Sequence, residues 1–329
     1  KLKIVSDNYK LILHIGYPKT ATTTLQNVLF YNLDKTVSKI NFLGTTKPDI
    51  SEHHNKLRQT MKPWLVSRGG ENENELFFFL KKRLKNEINL ISEESLLNSY
   101  QNPPYLFNPR LLKKVLSKIT NNIQIIIVLR NQKEMIYSLF AHAGGKYSRS
   151  KYKSSDEWIN YCLNEELNNK FFNYYDLIKD YQNLFNEENV HILFFEDLKQ
   201  NTNYFLSKLA KILEQPLENV LSNFGNAHLW KKERSTDGAY YKNLRRSRKW
   251  NYLLKTSLFN KYIKKLLIKL NLYDGIKFIF KTNETFKELI PKFTDQQNSR
   301  IKKHFYGNNL KLSKLSECDA KKLRKYDYL

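Results

Sequence analysis

The sequence predicts an α/β fold in which helices flank a central, mostly parallel β-sheet. The first observation is a set of short apolar segments, each followed by a turn or by polar residues. They are the expected strands: Tyr9–Gly16, Asn86–Ile91, Ile123–Leu129 and Val190–Phe195. The second observation is that segments with helical periodicity alternate with these strands. Strands that are apolar along their whole length, separated by helices, are typical of a parallel sheet that is covered on both faces.

The helical segments are expected between and after the strands, at Thr23–Tyr31, Pro109–Ile119, Lys133–Phe140, Asp156–Asn183 and Asn201–Leu213. Residues 45–85 have no strand pattern and are interpreted as a helical insertion near the mouth of the site. From about residue 234 to 329 the chain becomes basic and helical. No Pro/Gly/Ser-rich linker or internal repeat divides the sequence.

Composition narrows the class of protein. The 329 residues carry 56 Lys and Arg against 32 Asp and Glu, a net charge of +24. A 41% hydrophobic fraction excludes intrinsic disorder, and the apolar segments are too short to cross a membrane. The charge has three explanations: a compositional bias, which is favoured, then an anionic cofactor or acceptor, and last nucleic acid. Cys162 and Cys318 lack metal-ligand spacing and are expected to be buried or half-buried free thiols.

Localisation is weakly constrained by the sequence. The first residue is Lys1 rather than Met, so the removal of a signal or anchor stays open. A cytoplasmic location is expected. The amphipathic segment Leu253–Leu270 allows peripheral contact with a membrane, although packing on the sheet is the favoured explanation of its pattern.

The most informative segment follows the first predicted strand. Gly16 and Pro18 turn the chain, and Lys19 precedes small residues that open a helix. The first turn of a helix offers unpaired N–H groups and a partial positive charge, so it binds anions. The alternative, an ordinary turn with a threonine cap, does not need the lysine. The segment does not match G-x-x-x-x-G-K-[ST], which disfavours a Mg-ATP enzyme.

Residues 14–26, HIGYPKTATTTLQ, resemble the 5′-phosphosulfate-binding loop of sulfotransferases that use 3′-phosphoadenosine 5′-phosphosulfate (PAPS), in particular their bacterial and carbohydrate-type branch. The resemblance implies a co-substrate site whose loop residues are Pro18, Lys19, Thr20, Ala21, Thr22, Thr23 and Thr24. Ala21 departs from the glycine frequent in that pattern and is expected to be tolerated if its φ is negative.

A second anion-binding motif follows the strand Ile123–Leu129. Arg130 ends the strand and Ser138 lies about two helical turns later, so both can face one ligand. The pair resembles the family's 3′-phosphate-binding motif. The alternative for Arg130 is a surface ion pair with Glu134.

Further segments extend the resemblance. Phe194–Leu198 is similar to the strand-end Tyr/Phe-Glu-Asp-Leu of these enzymes, and Phe305–Leu310 is similar to a closing helix of the bacterial branch. The family implies a single three-layer, P-loop-like domain with a core of about residues 9–230. It also implies a basic loop over the nucleotide, for which Arg234 and Ser235 are candidates; a solvated basic face explains them equally well.

The implied reaction moves the sulfonate group of PAPS to an acceptor hydroxyl and releases 3′-phosphoadenosine 5′-phosphate (PAP), with no metal. Lys19 is expected to stabilise the charge on the leaving oxygen. Glu94 is the first candidate for the base and His142 the second, while Glu93 is better explained by helix capping. His14 is expected to be structural.

The expected acceptor is a carbohydrate or a glycolipid, and nucleic acid is not an expected partner. The alternatives are a P-loop-type nucleotide-dependent kinase and a basic nucleic-acid-binding protein. The kinase would need a Mg-binding Ser or Thr directly after a Gly-Lys pair. The nucleic-acid-binding protein would show a steep salt dependence of binding.

Overall fold

The structure is a computed structural model that describes residues 9–44, 73–85, 87–93, 109–141, 152, 154–166, 170–225, 240–241, 287–288 and 292–329. The chain divides into two compact units, Lys1–Trp230 with Phe293–Leu329, and Lys231–Lys292. The second unit contains a short antiparallel pair, β6 (Tyr240–Tyr241) and β7 (Lys287–Glu288). Residues 45–72 of the expected insertion and the whole segment 253–270 lie outside the described residues.

A five-stranded sheet forms the centre of the first unit. Its strands are β1 (Lys10–His14), β2 (Ile40–Gly44), β3 (Ile88–Ser92), β4 (Ile123–Leu129) and β5 (Val190–Phe194). They are ordered β2-β3-β1-β4-β5, and every neighbouring pair is parallel. The expected α/β fold with a parallel sheet flanked by helices is confirmed.

Helices cover one face of the sheet through a continuous apolar core. Helix α1 consists of Thr22–Thr24, a π-helical turn Leu25–Phe30, and Tyr31–Thr36. Helices α8 (Thr202–Ile212) and α9 (Leu217–Phe224) pack beside it. Alternate strand residues such as Ile12 and Val128 point into this layer and are fully buried. The strands are thus anchored on this side by apolar burial.

The remaining described helices of the first unit are α2 (Glu73–Arg83), α3 (Pro109–Leu116), α4 (Gln132–Phe140), α5 (Ser155–Leu163), α6 (Tyr174–Phe185), α7 (Phe195–Gln200), α10 (Asp295–Leu312) and α11 (Ala320–Lys325). Helix α6 packs on β4 and β5, and α10 packs on α4, α5 and α6. None of the helices in the described ranges has the length and apolar composition needed to span a membrane. Both cysteines are buried free thiols, as expected.

Two elements differ from the sequence-based expectation. The helix expected at 156–183 is two helices, α5 and α6, because Asn164 is extended with ψ 102° and Lys170 has φ 55°. Strand β2 was not expected at all, and only its first two residues are buried. The apolar pattern of β2 is therefore too short to predict a strand, and the strand forms through parallel pairing with β3.

The C-terminal residues are joined to the sheet by Asn131. Its side chain caps α4 by accepting a hydrogen bond from the N–H of Glu134 at 3.2 Å. The same amide donates to the carbonyl groups of Tyr326 and Asp327, at 3.1 and 2.7 Å. Lys133 and Lys302 bind the Asp327 carboxylate. One side chain thus links a helix start to residues almost 200 positions away.

We expect Asn131→Ala to lower the free energy of unfolding by about 2–3 kcal/mol, because it removes a cap and leaves two carbonyl groups without their donor. Asn201 caps α8 by accepting from the N–H of Tyr204 and provides the matched control. Asn201→Ala should cost only about 1 kcal/mol, the value of a cap. Urea denaturation of both variants measures the difference, and equal losses would contradict the proposed link.

Candidate active site

The order of the strands creates a crevice between β1 and β4. The connection after β1 leads to β2 on one side of the sheet, and the connection after β4 leads to β5 on the other side. Ligands of open parallel sheets bind at such a reversal, outside the carboxyl ends of the strands. The loop after β1 contains Lys19, and Arg130 directly follows β4. The fold therefore brings the two anion-binding motifs of the sequence to one place.

The loop after β1 is closed by its own threonine hydroxyl groups. Thr20 donates a short hydrogen bond to the carbonyl of Tyr17, and Thr22 Oγ1 lies 3.5 Å from the same oxygen. The side chains of Thr20 and Thr22 are buried, whereas Thr23 is exposed. Lys19 and Ala21 have φ values of 68° and 65°. The expectation that Ala21 is tolerated depends on a negative φ, and that condition is not met because the φ of Ala21 is positive.

The donors around the loop suit an anion. The first helical N–H groups bonded within α1 are those of Thr24 and Leu25, which donate to the carbonyl of Ala21. The N–H groups of Thr22 and Thr23 thus precede the hydrogen-bonded part of the helix. Residues 15–24 contain one lysine and no acidic residue. Donors of this kind at the start of a helix are suited to a tetrahedral oxyanion.

Arg130 is held against the loop. Its Nη1 donates to the carbonyl of Lys19 at 2.9 Å, and its guanidinium lies 4.8 Å from the centre of the Phe195 ring. The ion pair with Glu134 considered from the sequence is also present, at 3.6 Å from Nη2. Arg130 therefore contacts the loop after β1 and also forms an ion pair with Glu134 on α4. Ser138 is half-buried on α4, one turn beyond Glu134 on the same face.

Residues that sequence reasoning did not assign to the site fix the backbone around Arg130. The hydroxyl of Tyr174 donates to the Arg130 carbonyl at 2.7 Å. The Glu196 carboxylate accepts from the N–H of Asn131 at 2.8 Å, and the Tyr328 hydroxyl lies 3.4 Å from its other oxygen. Burial raises the pKa of Glu196, and the Asn131 N–H opposes this shift. Tyr174 and Glu196 thus hold the backbone on both sides of the peptide bond that follows Arg130.

A buried polar network lies beneath the loop. His14 Nδ1 is 2.7 Å from Ser92 Oγ, and Gln26 Nε2 donates to Ser92 Oγ at 2.9 Å. His14 and Ser92 are register partners at the ends of β1 and β3. Burial lowers the pKa of His14 to about 4, so the ring is neutral at pH 7. The pairing of the two strand ends, which creates this network, is invisible in a linear pattern.

The candidates for the base are only partly described. Glu94 and His142, like the nucleotide-loop candidates Arg234 and Ser235, lie outside the described residues. Glu93 is described: it is 5% exposed, and its N–H donates to the His14 carbonyl at 3.1 Å. The end of β3 is therefore hydrogen-bonded to the strand that leads into the Lys19 loop.

Comparison with known proteins gives one family. The family model described as "Sulfotransferase domain" matches residues 10–317. No curated protein matches the chain.

Three solved structures are among those to which the chain is similar. Mouse sulfotransferase SULT7A1 complexed with PAP is 14% identical, over 99% of this chain and 90% of that chain, with a TM-score of 0.48. A sulfotransferase from Alicyclobacillus acidocaldarius is 14% identical, over 65% and 83%, with a TM-score of 0.43. The sulfotransferase domain from the Curacin biosynthetic pathway is 12% identical, over 68% and 80%, with a TM-score of 0.37. Similarity at this level carries no information on the acceptor.

The positive φ of Ala21 predicts that substitution by glycine stabilises the protein. We expect Ala21→Gly to raise the free energy of unfolding by up to about 1 kcal/mol, because relief of the left-handed strain exceeds the entropy that glycine loses on folding. Ala210, buried in α8, is the matched control, and Ala210→Gly should lower stability by at least about 1 kcal/mol. Chemical denaturation compares the two variants. A loss of stability in both would mean that Ala21 is not strained.

Proposed function

The chain belongs to the sulfotransferase family, and on that premise we propose that it transfers the sulfonate group of PAPS to a hydroxyl group of a carbohydrate or glycolipid acceptor. Family membership confirms the enzyme class that the sequence predicts. The observation that carries the proposal is the hydrogen bond between Arg130 Nη1 and the Lys19 carbonyl. This contact between the two cationic motifs supports their assignment to one nucleotide site.

PAPS carries two anionic ends that correspond to the two motifs. The loop around Lys19, with the backbone N–H groups and hydroxyl groups of residues 20–24, is assigned to the 5′-phosphosulfate. Arg130 and Ser138 are assigned to the 3′-phosphate, for which a planar, permanently charged guanidinium is well suited. The position of Ser138 supports this division, because Ser138 follows Arg130 at twice the four-residue spacing that places side chains on one face of a helix. Arg234 and Ser235 remain proposed nucleotide contacts from the resemblance.

The reaction is an in-line transfer. The acceptor oxygen forms a bond to sulfur, the bond between sulfur and the bridging oxygen breaks, and its electron pair stays on the 5′-phosphate of PAP. Negative charge therefore grows on the bridging oxygen. We assign the stabilisation of that charge to Lys19, and a preorganised donor of this kind is worth on the order of 3 kcal/mol.

The acceptor must lose a proton to a base. We assign Glu94 this role and keep His142 as the second candidate. The location of β3 supports a base from the segment after it, because β3 lies next to β1 and the N–H of Glu93 bonds to the strand leading into the loop. The carbohydrate or glycolipid acceptor follows from the resemblance of residues 14–26 to the carbohydrate-type branch, and a cytoplasmic location stays a prediction.

Binding of PAP tests the nucleotide site directly. We expect PAP, but not AMP or ATP with Mg²⁺, to raise the melting temperature of the protein; a ligand at 100 times its Kd adds about 2.7 kcal/mol of stability. Lys19→Ala and Arg130→Ala should abolish this shift, and Lys19→Ala should lower turnover at least tenfold. Thermal-shift titration measures the binding.

The control is Lys35→Ala, which removes an exposed positive charge from the end of α1 without touching the loop. It should leave the PAP-induced shift unchanged. Stabilisation by ATP with Mg²⁺ or by nucleic acid, with no effect of PAP, would refute the proposed function.

A pair of variants assigns the base. Glu94→Gln should lower kcat at least a hundredfold with little change in the Kd of PAP, since the base touches the acceptor and not the nucleotide. Glu93→Gln, the neighbouring carboxylate, is the matched control, and His142→Asn tests the alternative. Steady-state kinetics with PAPS and PAP binding are measured together. Normal turnover in both Glu94→Gln and His142→Asn would exclude both residues as the base.

A further inference from the structure

The buried network of His14, Ser92 and Gln26 determines where the histidine carries its hydrogen. Gln26 Nε2 lies 3.3 Å from the backbone carbonyl of Ser92, which can only accept, so this end of the amide is its NH₂ group. The same NH₂ donates to Ser92 Oγ at 2.9 Å. The Ser92 hydroxyl hydrogen then has His14 Nδ1 as its acceptor, 2.7 Å away, in the part of the chain that the structure describes. Nδ1 therefore accepts, and the hydrogen of the neutral ring is on Nε2.

The Nε2–H group lies beside Gly16, the residue at the start of the loop. It is fully buried and has no hydrogen-bond partner among the described residues. A Cβ on Gly16 would lie 2.8 Å from Nε2 and 3.0 Å from Thr22 Oγ1, so the imidazole and the threonine hydroxyl approach the same side of Gly16. The ring packs edge-to-face on Phe30, with the two ring centres 5.5 Å apart. A buried donor without a partner is rare in folded proteins, and a bound acceptor would explain it.

We propose that His14 is a binding residue of the loop, and that its Nε2–H donates to an oxygen of the 5′-phosphate end of the bound nucleotide. The inference rests on the proposed function, since that function places an anion in the loop. Ser92 and Gln26 are positioning residues, because they orient the ring and hold its hydrogen on Nε2. His14 thus adds a neutral donor to a site whose formal charges come from Lys19 and Arg130.

Two variants of His14 separate the donor from the packing of the ring. His14→Asn keeps an acceptor near Nδ1 for Ser92 and loses the donor at Nε2. His14→Gln can place an amide NH₂ near Nε2. We expect the Kd of PAP to rise about tenfold or more in His14→Asn, as for the loss of a hydrogen bond to a charged group, and to recover in part in His14→Gln. Isothermal titration calorimetry gives both values.

Adenosine 3′-monophosphate, which lacks the 5′-phosphate, serves as the second ligand. Its Kd should change less than twofold in either variant, because His14 contacts only the 5′ end. His191→Asn is the control, since this strand histidine bonds Gln124 and lies at the start of β5. Equal weakening of both ligands in His14→Asn, or no weakening of PAP, would overturn the inference.

A measurement on the unaltered protein covers a failure of the variants to fold. Nitrogen-15 NMR of the histidine side chains should show the Nε2–H form of His14 in the free protein, and its Nε2 signal should shift with PAP and not with adenosine 3′-monophosphate. An Nδ1–H form, or no selective shift on PAP binding, would refute the role of His14 alone. If the wild-type protein does not bind PAP at all, the proposed function fails, and the inference fails with it.

Discussion

The hydrogen bond from Arg130 to the Lys19 carbonyl joins the segments that follow two neighbouring strands, at the point where the strand connections reverse. The guanidinium of Arg130 keeps its hydrogen bonds only if the backbone of Arg130 is fixed, because a buried guanidinium that shifts loses its partners. Tyr174 holds its carbonyl, and Glu196 holds the next N–H. The C-terminal residues are joined to the residue after Arg130, because the side chain of Asn131 donates to the Asp327 carbonyl. Distant parts of the chain therefore stabilise one positive group.

The sequence predicts the sheet well where burial alone decides the strand. Ile123–Leu129 is buried along almost all of its length, and its boundaries are those expected. Strand β2 (Ile40–Gly44) differs because its last three residues are only half-buried, so that pairing with β3 contributes information that a local pattern lacks. The long helix expected at 156–183 is interrupted at Asn164, whose ψ of 102° lies outside the helical region. Boundaries are thus less predictable than elements.

The site is predictable to the extent that its chemistry is local. Lys19 and its threonines follow one another in the sequence, and Arg130 stands at the end of an obvious strand. The supporting residues are separated from them by long stretches of chain: Ser92 meets His14 through strand register, and Glu196 meets Asn131 through the order of β4 and β5. Only the assembled sheet brings these groups together. The sequence alone therefore gives His14 no role beyond a structural one.

The loop needs small residues for two different physical reasons. At Gly16 the requirement is space, since a Cβ there would lie 2.8 Å from His14 Nε2 and 3.0 Å from Thr22 Oγ1, which is too close for a carbon atom. At Ala21 the requirement is backbone conformation, since its φ of 65° is costly for any residue with a Cβ. A methyl group at position 21 costs strain and leaves the donors in place, whereas a methyl group at position 16 would displace them. Alanine at position 21 therefore costs stability, whereas alanine at position 16 would force His14 and Thr22 to move.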